Sequence, residues 1–487
     1  MLKVHLKSLF SQSVFYGLGL ILNRSIGILL LPLYTAFFTS NQLGAYALIY
    51  SLWLFINVIY LLGMETSFLK FFIDAKSDED KSEVYCNTLL TVSVTSIFFS
   101  IIIFLSAESI ASLINFENFS EGIYLVNLLA IVLFCDALYR FPLLLLRAEQ
   151  KAKIYFRLNI ITIILNLFFN FYFIAVLDKG VESILISYLI SSFFTFIISL
   201  YVTRNFLKPS VSIKVIKKLL QFGNKFIYIG LLIILIDQSD KFFLKYFFDE
   251  STTGIYSAIS RLAAAMGILM ATFKFTWTPY FLNLEKTEEN KNAISDIFTY
   301  FIFSGMFLCL IFSFFIPVIV SFKFGNFSFI NENYWIGLPI LHILILAFLF
   351  SGIFTFLNVA PFFSDKTYLL LIITFIGFVL NISLNYFLIP LFDMSGAAYS
   401  LLFTYLIMSV LILILSQKIY PIKYKYSKIL ILLASGCLFL FINPLIYVTP
   451  ALKFALNIVF IVLYLVLSRY LVGIKLNQVK SILRRST

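Results

Sequence analysis

The chain has 487 residues, of which 61% are hydrophobic and 12% are charged, whereas soluble domains carry roughly 25% charged residues. This composition excludes an ordinary soluble domain and indicates a polytopic membrane protein. The formal net charge of +12 could indicate nucleic-acid binding. In a membrane protein, however, an excess of Lys and Arg in the cytoplasmic loops gives the same net charge, so the positions of the basic residues decide between the two.

Hydropathy predicts fourteen spans, each long enough to cross a hydrocarbon core about 30 Å thick. They are residues 13–38, 44–69, 86–106, 122–146, 155–176, 183–203, 226–248, 254–279, 296–322, 336–360, 367–391, 396–416, 429–447 and 451–472. No connection is long enough for a soluble domain. The expected fold is an all-α polytopic membrane protein with about 14 transmembrane helices.

The basic residues follow the positive-inside rule. With the N-terminus inside, 27 of the 36 Lys and Arg residues lie on the cytoplasmic side and four on the outer side. This bias explains the net charge and argues against nucleic-acid binding. Lys3 and Lys7 precede an apolar stretch that has no cleavage signal, so an uncleaved first span and cytoplasmic termini are expected.

Two halves of the chain resemble each other at a nearly constant offset. FFTSNQLGAYALIYS (37–51) aligns with FFDESTTGIYSAISR (247–261), an offset of 210. Two further matches have offsets of 213 and 215: Lys153 and Tyr155 with Lys366 and Tyr368, then Asn166, Asn170 and Asp178 with Asn381, Asn385 and Asp393. Six helices per repeat make the repeats parallel, an arrangement typical of transporters with a substrate path between the halves.

The repeat predicts four parts of the chain. Residues 1–203 form an N-terminal six-helix lobe, 204–225 a basic cytoplasmic linker, and 226–416 a second six-helix lobe. Residues 417–487 add two helices and a basic cytoplasmic tail.

The span at 226–248 contains three ionisable residues, Asp237, Asp240 and Lys241, within one sector of the helix. Each such residue costs about 2.5–3.5 kcal/mol near the bilayer centre, so the helix needs a polar interior to face. The spacing pairs Asp237 with Lys241 at i, i+4. These three residues either line a water-filled cavity or form a buried packing contact between helices. Pairing of Asp237 with Lys241 leaves Asp240 without a basic partner on this helix, which favours the cavity.

Other spans carry isolated charges that are candidates for substrate binding. We expect Arg24, Arg140, Lys241, Arg261 and Lys274 to line a cavity that suits an anionic substrate. For Arg140 a structural salt bridge with Asp136 is an equal alternative, and Lys274 could instead reach the membrane surface. Asp237, Asp240 and His342 are candidates for the coupling ion, although a lone histidine often only forms a hydrogen bond within the bundle.

The amide pairs Asn166/Asn170 and Asn381/Asn385 act either as interhelical contacts or as sugar-binding groups, and their repetition favours contacts. The cysteines and histidines show neither a metal-binding nor a disulfide pattern, so no metal, cofactor or catalytic constellation is expected: Cys86, Cys135, Cys309, Cys437, His5 and His342.

Three motifs in the middle of the chain carry a family resemblance: Asp240-Lys241, Gly254-x-Tyr256 and Trp277-x-Pro279. Together with NISLNYFLIPLFDMSGAA (381–398), they resemble the polysaccharide transporter family, the Wzx-type O-antigen and capsule flippases of the MOP (MATE-like) superfamily. Lys241 stands where Arg is expected, and Asp393 stands where Gly is more usual.

The resemblance implies a flippase that moves undecaprenyl-diphosphate-linked oligosaccharides from the inner to the outer leaflet of the bacterial inner membrane by alternating access. It also implies coupling to H⁺ or Na⁺, and glycan polymerase or chain-length proteins as partners, in lipopolysaccharide biosynthesis or a related pathway. The alternatives are a MATE-like multidrug exporter, a lipid II-type flippase and, less favoured, a membrane polymerase or acyltransferase, for which the sequence shows no acid–base constellation.

Overall fold

The computed structural model describes residues 19, 21, 22, 25–208, 210–282, 284–324, 327–446 and 448–473. They form an all-α polytopic protein whose chain divides into two compact units, one up to Ala258 and one from Ile259 onward. Two short strands, Lys323–Phe324 and Phe327–Ser328, form an antiparallel hairpin between helices. The predicted fold class is confirmed.

The first unit contains a π-helix (Tyr172–Val176), a 3-10 helix (Arg204–Phe206) and a series of α-helices with described bounds. The α-helices are α1 (Leu31–Phe37), α2 (Ser40–Leu61), α3 (Met64–Asp74), α4 (Asp78–Leu105), α5 (Ala107–Ile114), α6 (Phe119–Ala148), α7 (Ala152–Phe171), α8 (Glu182–Thr203), α9 (Ile213–Phe247) and the start of α10 (Glu250–Leu282).

The second unit continues from α10 with α11 (Glu288–Val320), α12 (Leu341–Phe356), α13 (Val359–Phe363), α14 (Tyr368–Ile419), α15 (Tyr426–Ile442) and α16 (Pro450–Leu467). Trp277 anchors α10 in this unit. Its ring stacks on Phe356 at 4.2 Å, and its indole N–H donates to the Phe356 carbonyl at 3.2 Å.

Among the described residues, 11 helices are long and apolar enough to cross a membrane, or 12 if the bent α9 is one span. The 52-residue α14 would extend about 78 Å at 1.5 Å per residue, more than twice the hydrocarbon thickness. Its path breaks at Asp393, which has φ 53° and ψ −135°. Thus α14 contains the two predicted spans 367–391 and 396–416, and the exact number of 14 stays a prediction.

The first unit includes α9, which the sequence analysis assigned to the second lobe. Along its length α9 contacts α2 through Ser51 and Gln238, and α3 through the Ser67 hydroxyl, which donates to the Leu219 carbonyl at 2.8 Å. The backbones of Gly63 and Gly223 also touch, leaving no room for a β-carbon at either glycine. The lobe boundaries of the transport cycle stay a prediction.

The internal repeat has a structural counterpart in the turns of the two units. Gln150 and Asp365 both have positive φ, and in each turn the following lysine N–H bonds back five residues: Lys151 to Leu146 and Lys366 to Pro361. Asp178 and Asp393 likewise share positive φ. The proposed match of Lys153 with Lys366 is therefore wrong by two residues, because the turn pairs Lys151 with Lys366.

Each unit also contains the same amide bridge, between α7 and α8 in the first unit and between the two halves of α14 in the second. Asn166 donates to the Ser191 hydroxyl at 3.3 Å in the first unit, and Asn381 donates to the Thr404 hydroxyl at 3.2 Å in the second. Asn170 and Asn385 each donate to the side-chain oxygen of the preceding asparagine. These buried amides hold helices together, and the Tyr34 hydroxyl adds α1 to the first network by donating to Asn170.

Candidate functional site

Asp240 and Lys241 form a buried ion pair at the centre of the motif-bearing stretch. The Lys241 ammonium lies 3.0 Å from Asp240 Oδ1, and the two side chains are 7% and 3% exposed. The other carboxylate oxygen accepts the Tyr256 hydroxyl at 2.6 Å, so α9 and the start of α10 are joined by this acid. The Asp240-Lys241 and Gly254-x-Tyr256 motifs thus meet in one contact.

This pairing differs from the predicted one. Lys241 forms its salt bridge with the neighbouring Asp240, and it donates to the backbone carbonyl of Asp237 at 3.3 Å. The expectation of an i, i+4 salt bridge to the Asp237 carboxylate is wrong, because the Lys241 ammonium turns toward the acid that Tyr256 holds. A charge-balanced pair this buried resembles the packing contact that the sequence analysis gave as the alternative, while Asp237 itself is half-buried.

A second charged cluster joins α2, α3, α6 and α8 within the first unit. Asp136 is 1% exposed and accepts bonds from three side chains. Asn57 donates to Oδ2 at 2.5 Å, and Arg140 contacts the same oxygen through Nε at 3.0 Å and Nη2 at 2.8 Å. The Tyr188 hydroxyl donates to Oδ1. Both carboxylate oxygens are therefore occupied by hydrogen-bond donors from three different helices.

Glu65 completes this cluster, and the sequence analysis missed it. Its Oε1 lies 3.2 Å from Arg140 Nη1, and the two side chains are 39% and 36% exposed. A break in the helix positions Glu65, because Leu62 and Gly63 have positive φ and α3 restarts at Met64. The sequence did contain a signal for this residue. Glu65 is an acidic residue inside the predicted span 44–69, and an ionisable side chain within a membrane span is costly enough to indicate a functional site.

A third cluster lies at the end of α9, which the distribution of basic residues predicts to face outside. Lys245 is 3.5 Å from Glu117 and 3.7 Å from Glu250. The two acids also cap each other's segments: Glu117 accepts the Glu250 N–H at 3.0 Å, and Glu250 accepts the Glu117 N–H at 2.8 Å. These bonds fix the start of α10 to the loop before α6.

The matching segments of the repeat touch each other beside this cluster. A β-carbon on Gly44 would lie 1.9 Å from the Glu250 carbonyl oxygen, and one on Gly254 would lie 2.0 Å from the Ser40 carbonyl oxygen. The Ser40 and Ser251 hydroxyls are 2.6 Å apart. The starts of α2 and α10 therefore meet through a reciprocal contact of equivalent positions, which we call the helix-start contact.

The remaining predicted residues do not join these clusters among the contacts described. Arg261 is half-buried and Lys274 is exposed, both on α10. His342 packs edge-on against Phe441 in the second unit, with ring centroids 5.3 Å apart. Arg24 lies outside the described residues. In the part of the chain that the structure describes, no three His, Cys, Asp or Glu side chains are grouped as a metal site.

Solved structures of two kinds of membrane transporter resemble this fold. The lipid II flippase MurJ in an inward closed conformation is 18% identical, with a TM-score of 0.74 over 95% of this chain and 98% of that chain. An inward-facing multidrug resistance MATE family transporter of the MOP superfamily is 12% identical, with a TM-score of 0.66 over 81% and 94%. An outward-facing multidrug resistance MATE family transporter is 15% identical, with a TM-score of 0.59 over 84% and 94%.

The sequence itself matches one protein family. No curated protein matches the chain, but the profile of a family described as polysaccharide biosynthesis protein matches residues 34–279. This match covers half of the chain, including all three charged clusters and the motifs from Asp240 to Pro279. The fold and this match confirm the resemblance stated from the motifs, and the chain belongs to the polysaccharide biosynthesis protein family.

Proposed function

We propose that this protein is a flippase that moves an undecaprenyl-diphosphate-linked oligosaccharide from the inner to the outer leaflet of a bacterial inner membrane by alternating access. The observation that carries the proposal is the family match over residues 34–279 in a chain whose fold resembles a lipid II flippase. A polysaccharide biosynthesis protein built as a transporter fold has a polysaccharide precursor as its natural cargo. O-antigen or capsule units are the glycans that we favour.

The helix-start contact supports an alternating cycle. At Gly44 and Gly254 the two helix starts pack backbone against backbone, with the Glu250 and Ser40 carbonyl oxygens as the nearest atoms. Such a contact separates without repacking a core. Of the nearby Lys245 ion pairs, the one with Glu117 has an acid that is 40% exposed and that water can solvate instead, whereas Lys245 and Glu250 are both buried. We expect the starts of α2 and α10 to part when the carrier opens toward the outside.

Two other cargoes remain as alternatives on the same fold. MATE structures favour a multidrug exporter, and MurJ favours a lipid II-type substrate. A membrane polymerase or acyltransferase is less favoured, because the buried acids are held by Lys, Arg and Tyr side chains instead of facing a reacting group. The cargo experiment below separates these possibilities.

The test measures movement of a glycolipid between the two leaflets of a liposome, with and without a disulfide that holds the helix-start contact closed. The protein, with its four natural cysteines replaced, is reconstituted with fluorescent undecaprenyl-diphosphate oligosaccharide, and head groups that cross the bilayer are quenched from outside. Ser40→Cys/Ser251→Cys is compared in its oxidised and reduced forms. Because the two hydroxyls are 2.6 Å apart, we expect a disulfide that stops movement and a reductant that restores it.

The matched control is Thr162→Cys/Thr195→Cys, whose hydroxyls are 2.9 Å apart between α7 and α8. A disulfide there joins helices within the predicted N-terminal lobe (1–203), whereas Ser251 lies in the predicted second lobe, so movement should continue in the control. If the oligosaccharide lipid does not move, movement of lipid II would instead support a lipid II-type flippase, and movement of a cationic drug would support a multidrug exporter. Chemical modification of the glycolipid without movement would support an enzyme instead.

A further inference from the structure

The cluster of Glu65, Asp136 and Arg140 contains two acids and one base, so it carries one surplus negative charge when both acids are ionised. An intramembrane surplus charge is costly and commonly marks an ion or proton path. The surplus also bears on the predicted role of Arg140 in substrate binding. The Arg140 guanidinium already contacts two carboxylates, so an anionic head group would be repelled by them. This cluster therefore suits proton or cation exchange better than it suits binding of an anionic substrate.

The two acids have very different surroundings. Asp136 is 1% exposed and receives donors from Asn57, Arg140 and Tyr188. A carboxylate has about four lone-pair sites, and these donors occupy both of its oxygens. Adding a proton to Asp136 would break one of these bonds in a buried place. Asp136 is therefore suited to holding Arg140 in position and poorly suited to exchanging protons with water.

Glu65 is the exchangeable acid. It is 39% exposed on its side chain, and among the described residues its basic partner is Arg140, through a single contact of 3.2 Å. Protonation of Glu65 would end that contact, while Arg140 keeps two bonds to Asp136. One proton thus removes the surplus charge of the cluster without leaving a buried group unpaired.

Among the residues that the structure describes, the helices packed against α3 present few competing groups at this level. From α6 come Arg140 and Asp136, and from α7 the Tyr155 phenol lies within electrostatic range of Glu65 and of Arg147. Tyr188 of α8 lies behind Asp136. About two turns further along α3, Lys218 of α9 lies over Phe71 and Lys81 of α4 lies over Phe72.

We propose that Glu65 takes up and releases the proton that couples transport to a proton gradient, in an inference that rests on the proposed function. The proton comes from bulk water to Oε1 or Oε2 of Glu65, where it replaces the Arg140 contact, and it returns to bulk water on the other side of the membrane. No other bond changes. This assigns proton coupling to Glu65 instead of the earlier candidates Asp237, Asp240 and His342.

The first measurement needs no substrate. Infrared spectra of the reconstituted protein are recorded from about pH 4 to about pH 8, a range that includes the ordinary titration of a glutamic acid. Because the other acids of the chain contribute to the same band, we expect one component of the carboxylic acid band that appears as the pH falls and that is missing from the spectrum of Glu65→Gln. The matched control is Glu149→Gln, which removes a carboxylate from the half-exposed Lys81–Glu149 pair and should keep this component.

The second measurement records glycolipid movement together with the internal pH of the liposomes. In the wild type, an imposed pH gradient should accelerate movement, and movement should carry protons. Glu65→Gln should lose both the acceleration and the proton flux, Glu65→Asp should retain them in part, and Glu149→Gln should resemble the wild type.

The two measurements separate the two proposals. A carboxylic acid band that is identical in Glu65→Gln and the wild type, or movement in that variant that still follows the gradient, would overturn the assignment of Glu65 and leave the flippase standing. A band that depends on Glu65 in a protein that moves no oligosaccharide lipid would overturn the proposed function and leave a proton site. Thermal unfolding of each variant, compared with that of the wild type, checks that the variant is folded.

Discussion

At the scale of single residues, the charged side chains differ in how much water they meet. The side chains of Lys241 and Asp240 are 7% and 3% exposed, whereas those of Arg140 and Glu65 are each more than a third exposed. Breaking a buried ion pair leaves an uncompensated charge in a medium that solvates it poorly. Removing a half-exposed partner costs much less, because water replaces it. The first pair therefore contributes to stability, and the second is free to change during a cycle.

This difference predicts a large effect of Lys241→Met. The substitution leaves the Asp240 carboxylate buried without its cation, so we expect a loss of about 3–5 kcal/mol in stability, seen as a lower midpoint of thermal unfolding in detergent. The double variant Asp240→Leu/Lys241→Met should recover part of this loss because no charge remains. The control is Lys366→Met, an exposed lysine, which should unfold like the wild type. A single variant as stable as this control would contradict the prediction.

At the scale of helices, glycine decides how closely α2 and α10 approach. Gly44 and Gly254 each face a backbone carbonyl at a distance that no β-carbon allows. Both positions lie in the first turns of helices, where a glycine otherwise only weakens the helix. Close backbone approach explains why glycine is present in both copies of the repeat, in the same register.

Gly44→Ala and Gly254→Ala should each push the two helix starts apart. We expect slower disulfide formation in the Ser40→Cys/Ser251→Cys background, measured as cross-linked protein against time of oxidation. Gly230→Ala on α9 is the matched control, since the nearest atom to its new β-carbon would be Val58 Cγ1 at 4.0 Å. Unchanged cross-linking in both variants would show that the helix-start contact is not maintained in the membrane.

At the scale of the whole molecule, the distribution of basic residues predicts its orientation. Lys76 lies in a connection predicted to be cytoplasmic, and Ser321 lies at the end of α11 predicted to be outside. Both are exposed. In a background without the natural cysteines, Ser321→Cys in intact spheroplasts should react with a membrane-impermeant maleimide. Lys76→Cys should react only after permeabilisation. The reverse pattern would invert the topology, and labelling of both in intact cells would contradict the number of spans between them.

The internal repeat and the membrane fold were accessible from sequence because both depend on local composition. Twenty apolar residues form a helix in a bilayer whatever their neighbours are, since unpaired backbone groups are too costly there. The turns at Gln150 and Asp365 show what an alignment of the two repeats could not determine. Several polar residues lie close together there, and only the positive φ angles show that the alignment was shifted by two residues. The break at Leu62 and Gly63 was equally hidden, since both residues are common within apolar helices.

The sequence by itself determined that this is a polytopic helical membrane protein with an internal repeat, a positive-inside charge bias and the motifs of a polysaccharide transporter. The i, i+4 spacing already offered the Asp136–Arg140 salt bridge, which the structure confirms. Only the tertiary structure decided the other pairs: Lys241 with Asp240, Arg140 with Glu65, and Lys245 with Glu117 and Glu250. Helical periodicity relates residues three or four positions apart, whereas Glu65 and Arg140 are separated by 75 positions. Packing of whole helices sets such contacts, and a single sequence does not show which helix faces meet.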